Sequence, residues 1–253
     1  MSTYLLIHGS WHGAWCWYKI TARLRAAGHS VIVPDLPGHG RDWRPPGEPT
    51  MQDFVDTITR AIDSAQEPVV LVVHSRSGIV ATQAAEERPD RIRTIAYLAA
   101  YLPPVGDAVP LSQARNGWAR NTESLSLAHT TVDRDAGSDM LARSAFREVL
   151  YADCPDEDVE LAYALLTPEP RGPNSPTNSP IRTTAERFGR IPRVYIELTE
   201  DRAVSWSAQK RMYEAAPCDR VLTIHSSHSA YFSQPDQLTR HILTAGGDEK
   251  SSP

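Results

Sequence analysis

The sequence predicts an α/β architecture, a mainly parallel sheet of about six strands flanked by helices, with a mostly helical segment inserted. Short β-branched or apolar runs alternate with helix-length amphipathic stretches, the pattern of parallel strands joined by crossover helices. One run, Val69 to Val73, is apolar at every position, as a central strand covered on both faces would be. Between Tyr101 and Ile191 the alternation stops for about 90 residues, far more than a crossover needs.

Strands are expected at 3–7, 30–34, 68–73, 93–99, 193–199 and 220–225, and helices at 15–27, 51–65, 77–88, 205–216 and 235–245. In the third helix Gly78, Ile79, Ala81, Ala84 and Ala85 form a small-residue face suited to close packing on a sheet. Within the insertion, Ser144–Tyr151 and Asp156–Leu166 read as helices. The second opens with Asp156, Glu157 and Asp158, acids that suit a helix N-terminus better than a metal site, since no matching ligand cluster lies nearby. Residues 1–103 and 191–245 are thus assigned to the core, 104–190 to the insertion, and the polar 246–253 to a disordered tail. Of the 20 prolines, seven lie between Pro155 and Pro192 and five of those within Pro168–Pro180, which predicts an extended connection without helix or strand.

With 26 Lys+Arg against 31 Asp+Glu the net charge is −5, which argues against a nucleic-acid partner. Cys16, Cys154 and Cys218 are odd in number and lack metal-ligand spacing, so they read as reduced thiols. No apolar run approaches the ~20 residues of a membrane span, and Tyr4–Ile7 runs directly into a His-Gly turn rather than a cleavable leader. A cytoplasmic protein is expected, with a small-molecule substrate as partner and a homodimer left open.

Three chemical signals follow three different strands. Val73-His74-Ser75-Arg76-Ser77-Gly78 places a serine on the sharp turn between the most apolar strand and the small-residue helix, where its hydroxyl would project from the carboxyl edge of the sheet. Taken alone, Ser75 suits a helix cap equally well, and the usual Gly-x-Ser-x-Gly pattern is broken by Val73 and Ser77. Next, the strand from Arg193 ends in Glu200-Asp201, which could be surface acids or the orienting group of a triad. Finally, the strand from Val221 runs into a loop with His225 and His228. Their spacing could suit a metal pair, but the strand-loop-His order favours a triad base, and His228 lies further into the loop. The order Ser75, Asp201, His228, each after its own strand, makes coincidence a poor explanation. Ile7-His8-Gly9-Ser10 follows the first strand, where an oxyanion-hole N–H is expected. Ser10 and Arg76 would contribute backbone amides, while the Arg76 guanidinium could be a solvated helix-face charge.

Together these motifs resemble the α/β-hydrolase fold, and within it the branch of plant methyl-salicylate and methyl-jasmonate esterases, hydroxynitrile lyases and bacterial relatives. The resemblance covers nearly the whole chain. It is carried by His8-Gly9-Ser10-Trp11-His12-Gly13-Ala14-Trp15, the serine turn, Tyr97-Leu98-Ala99-Ala100-Tyr101-Leu102-Pro103, and Asp153-Cys154-Pro155-Asp156-Glu157-Asp158-Val159. Glu186-Arg187-Phe188-Gly189 with Arg193-Val194-Tyr195-Ile196, Thr199-Glu200-Asp201 with Gln209 and Met212, and Ser227-His228-Ser229 complete it. The resemblance implies that 104–190 is a cap enclosing a largely apolar pocket, with Trp11, Trp118, Phe146, Tyr151, Tyr231 and Phe232 as candidate lining residues, though each also suits the core. Hydroxynitrile lyases of the branch look to carry Thr at the position of Gly9 and Lys at that of Ser229, so the resemblance favours hydrolysis of a small, largely apolar or aromatic ester, without cofactor or metal. The alternatives are a lyase, cyclase or other tailoring enzyme on the same scaffold, or a small-molecule receptor.

Overall fold

The computed structural model describes residues 1–45 and 47–249. The chain opens with β1 (Thr3–Ile7), a short 3-10 turn (Ala14–Trp17), α1 (Tyr18–Ala26) and β2 (Ser30–Ile32). Then come α2 (Met51–Ser64), β3 (Val69–His74), α3 (Ser77–Glu87) and β4 (Ile92–Leu98). Helix α2 starts where Thr50 and Asp53 exchange side-chain and backbone hydrogen bonds in a capping box. The insertion holds β5 (Asp107–Ala108), α4 (Leu125–His129), β6 (Thr130–Asp133), β7 (Ser138–Leu141), α5 (Phe146–Leu150), α6 (Asp156–Leu165), β8 (Glu169–Pro170) and β9 (Ile181–Arg182). Last are β10 (Arg193–Leu198), α7 (Trp206–Ala215), β11 (Arg220–Ile224), α8 (Ala230–Ser233) and α9 (Pro235–Gly246).

Six strands pair in parallel in the order β11-β10-β4-β3-β1-β2, so the most apolar strand, β3, is interior. Side chains alternate across it. Val69, Leu71 and Val73 join the core layer that holds Phe54, Ile79 and Met212 of α2, α3 and α7, while Val70 and Val72 join the layer of Ile20, Leu238 and Ile242 from α1 and α9. Both layers are buried, which explains why β3 lacks the polar alternation of a half-exposed strand.

The insertion differs from the mostly helical segment expected. Its helices share it with an antiparallel β6-β7-β8 sheet and a β5-β9 ladder, and much of the rest is turn. Strands this short leave no periodic signature in sequence. The proline-rich stretch likewise contributes β8 before breaking into turns. At the C-terminus, Gly246 and Gly247 close α9. Asp248 accepts hydrogen bonds from Ser2, Tyr4 and Arg93, so 246–249 are fastened to the sheet edge rather than loose, and 250–253 lie outside the described residues.

Of the acidic trio, Asp158 is 1% exposed. It meets Lys19 Nζ at 2.6 Å and accepts from the Tyr18 hydroxyl at 2.8 Å, tying α6 to α1, and Asp156 pairs with Arg147 on the surface. Removing the cation leaves a buried carboxylate unpaired, so Lys19→Met is expected to cost about 3 kcal/mol. Urea unfolding measures this, and an unchanged midpoint would show that the clamp contributes nothing.

Candidate active site

The chain leaves β3 through Ser75, whose φ of 57° lies in the left-handed region and turns the backbone sharply into α3. Bonds on both sides hold the turn. The Ser75 amide donates to the Leu98 carbonyl at 3.2 Å, and the Ser75 carbonyl accepts from the amides of Gly78 and Tyr101. Ser77 fills the position usually taken by glycine and donates its hydroxyl to the His8 carbonyl at 2.6 Å, joining the start of α3 to the loop after β1. Val73 is fully buried within β3.

The strand-end loops bring two more predicted residues to Ser75. His228 Nε2 lies 3.0 Å from Ser75 Oγ, and His228 Nδ1 lies 2.6 Å from Asp201 Oδ2. The other Asp201 oxygen accepts from the amides of Ala203 and Val204 at 2.7 and 2.9 Å, which fixes the carboxylate. A carboxylate only accepts, so Nδ1 of His228 carries the proton and Nε2 is free to accept from the Ser75 hydroxyl. His225 is exposed and meets Thr199 instead, outside this chain of bonds. Among the described residues, the amides of Ser10 and Arg76 have no protein acceptor, and both residues line the cavity beside Ser75 and His228.

Three buried histidines support this arrangement and were not singled out from the sequence. His74 Nε2 donates to the His228 carbonyl at 3.0 Å with the two rings 4.4 Å apart, His12 Nδ1 donates to the Ser10 carbonyl at 2.7 Å, and His8 Nδ1 donates to the Gly9 carbonyl at 2.9 Å. In each, the second ring nitrogen either accepts, from Tyr151 on His12 and from the Leu36 amide on His8, or has no partner, as Nδ1 of His74. All three are therefore neutral. Burial is the main cause that holds His8 and His74 well below the ordinary imidazole range and His12 at about 3. The insertion grips the same loop from the other side: Asp153 accepts from the Ser227 hydroxyl and amide, and the Cys154 thiol donates to the Ser229 carbonyl.

A cavity of about 400 Å³ opens above Ser75 and is lined jointly by core residues and by the insertion. Trp11 lines it, as expected. Trp118, Phe146, Tyr151, Tyr231 and Phe232 are not among its lining residues. Tyr151 and Tyr231 lie with their hydroxyls on His12, and Phe232 packs against Trp15 and Tyr151. Phe146 stacks on Tyr163, while Trp118 meets the edge of Tyr101. Phe146, Tyr151, Tyr231 and Phe232 are core, packed in the layer that holds Ile20 and Leu24 of α1, while Trp118 is half-buried.

The wall is also more polar than expected. Leu111, Leu127, Val132 and Val204 share it with Asn121, Thr177, Asp139, Arg76 and Arg171. Asp139 and Glu169 sit directly opposite on the β7-β8 ladder, and each carboxylate is met by a guanidinium. Arg171 pairs with Asp139 at 2.6 Å, and Arg76 pairs with Glu169. Arg76 also donates to Thr177 Oγ1 at 2.7 Å. Its side chain is only 11% exposed, and desolvation lowers its pKa to about 10, leaving it charged at neutral pH. Among the described residues no cluster of ligand-type side chains could hold a metal ion, and no helix is long and apolar enough to cross a membrane.

Residues 4–241 match the model of the alpha/beta hydrolase family. The chain belongs to that family. It is 31% identical to methylesterase 9 of Arabidopsis thaliana over 96% of this chain and 97% of the relative, and 32% identical to methyl jasmonate esterase 1 of Vitis vinifera over 94% of each. Such relatives are carboxylesterases of the alpha/beta hydrolase type, and the chain is an enzyme of this type. Its fold is also similar to that of tomato methylketone synthase I complexed with 2-tridecanone, with a TM-score of 0.84 and 26% identity over 98% of this chain and 99% of that one.

The buried histidines carry a consequence for acid stability. In the unfolded chain each takes up a proton near pH 6.5, and in the folded protein only well below that. Stability is therefore full above about pH 6.5 and is lost as pH falls, by up to about 1.4 kcal/mol per pH unit for each histidine. Urea midpoints measured between pH 7.5 and 5 should fall steeply, and a flat profile would contradict neutral burial.

Proposed function

We propose that the protein hydrolyses small carboxylic esters, methyl esters among them, by acyl transfer through Ser75. The observation that carries this reading is the hydrogen-bonded chain Asp201–His228–Ser75, which ends at the floor of a cavity beside two unpaired amides.

In this mechanism His228 takes the Ser75 proton as the hydroxyl oxygen attacks the ester carbonyl, and Asp201 holds the imidazole tautomer and stabilises the imidazolium. Charge on the tetrahedral oxygen falls to the N–H groups of Ser10 and Arg76, each donor of this kind being worth about 3–4 kcal/mol in hydrolases. His228 then protonates the departing alcohol. Water repeats the sequence on the acyl-serine and releases the acid. No step calls for a cofactor, and the cytoplasm is the proposed location.

The likeness to methylketone synthase I keeps non-hydrolytic chemistry on the same scaffold as a second reading. Cyanide elimination finds little support here. Ser229 is fully buried with its hydroxyl on Tyr231, where the lyases carry Lys, and a Cβ on Gly9 would stand 2.8 Å from Ser75 Cβ, where they carry Thr.

The test is turnover of a panel of methyl and aryl esters together with fluorophosphonate labelling. Wild type should release acid and alcohol and be labelled on Ser75. Ser75→Ala should lose labelling and about 10⁴-fold or more of kcat. Labelling or turnover that survives in Ser75→Ala would assign the chemistry elsewhere.

A further inference from the structure

The acyl-transfer chemistry leaves two groups in the cavity wall unused, the guanidiniums of Arg76 and Arg171. Arg76 reaches the cavity from the residue after Ser75, and Arg171 from the turn that follows β8. Their counter-charges are not placed alike. Glu169, the partner of Arg76, is 1% exposed and is not among the cavity-lining residues. Asp139, the partner of Arg171, does line the cavity, but it already accepts from Arg171 at 2.6 Å and from Trp11 Nε1 at 3.0 Å. The cavity wall therefore carries two cations and one anion, each oxygen of which already accepts one bond.

Donor capacity points the same way. A guanidinium carries five N–H groups, and Arg76 donates one of them to Thr177 while its charge faces Glu169. Both arginines border the same cavity, so an anion placed between them would be met from two sides. Planar forks of this kind match a carboxylate two bonds at a time, and side chains only 11% and 21% exposed keep little of the water that would otherwise compete.

We propose that Arg76 and Arg171 form a carboxylate-binding subsite, and that the preferred substrate is a half-ester, a small molecule with its ester at Ser75 and a free carboxylate against the two guanidiniums. This inference rests on the hydrolase reading above and narrows its substrate class. A neutral ester would leave the guanidinium donors without acceptors in a site that has displaced their water, so discrimination of tenfold or more is expected.

The decisive comparison uses wild-type protein: kcat/KM for the monomethyl esters of succinic, glutaric and adipic acids against their dimethyl esters. The half-ester should be preferred by about tenfold or more, and added salt should narrow the gap. In Arg171→Met the ratio of half-ester to diester kcat/KM should fall by about tenfold, chiefly through the KM of the half-ester, with Arg171→Lys intermediate. Glutarate should also protect Ser75 of the wild type from fluorophosphonate, and protect Arg171→Met less. Diesters turned over as well as half-esters, or labelling that glutarate does not slow, would overturn the subsite while leaving the hydrolase reading intact. A protein that fluorophosphonate never labels and that hydrolyses no ester would instead overturn the hydrolase reading, and the subsite with it. Because the wild-type arms need no variant, they decide the matter even if Arg171→Met folds poorly.

Discussion

The candidate site depends on one backbone conformation, the left-handed φ of Ser75 at the end of β3. A non-glycine residue in that region costs about 1–2 kcal/mol, and here a serine is held in it by hydrogen bonds from β4 and from the first turn of α3. The turn brings α3 so close to the following crossover that a Cβ on Gly78 would run into the Tyr101 carbonyl, and it brings Ser75 so close to the β1 loop that a Cβ on Gly9 would stand 2.8 Å from it. Those contacts aim the Ser75 hydroxyl at His228 and set its neighbouring amide beside that of Ser10. Both core layers of the sheet serve this geometry, since a fully buried β3 cannot shift without disturbing packing on both faces.

Beneath the serine, polar groups are arranged so that each imidazole has one defined donor nitrogen. Carbonyls fix the donor nitrogens of His8, His12 and His74, and a carboxylate fixes that of His228. Because His74 donates to the backbone of His228 while Asp153 holds the residue before it, the His228 imidazole is restrained both from the core and from the insertion. The insertion is therefore part of the site's framework as well as its roof. The buried Asp158–Lys19 pair extends the same connection to α1.

The central strand, the helix that follows it and the order Ser75, Asp201, His228 were legible because each depends on residues adjacent in sequence. A continuous apolar run marks β3, and polar strand ends mark the loops. The pocket was not legible. Phe232 and Tyr231 follow His228 closely, yet their rings turn into the core beside Trp15 and His12, and direction relative to a sheet edge is not encoded by proximity in the chain. The sequence leaves the Arg76 guanidinium open to a helix-face reading because its partner Glu169 lies 93 positions away on a two-residue strand, too short to show periodicity. Asp248 looks like part of a loose polar tail because Ser2, Tyr4 and Arg93, which hold it, come from two distant segments, the start of β1 and β4.

The departures from Gly-x-Ser-x-Gly at Val73 and Ser77 have a physical explanation. Glycine is needed where the backbone is left-handed or where another chain segment occupies the space of a Cβ. In this turn the left-handed position is Ser75 itself, and the close approaches fall on Gly9 and Gly78. Position 73 lies within regular β3, where a valine side chain fills the layer between the sheet and α2, and position 77 begins a right-handed helix, where a serine gains a hydrogen bond to His8 that glycine could not make. The elbow is thus complete with fewer glycines than its usual pattern, because steric demand is set by contacts across the fold and not by the local motif alone.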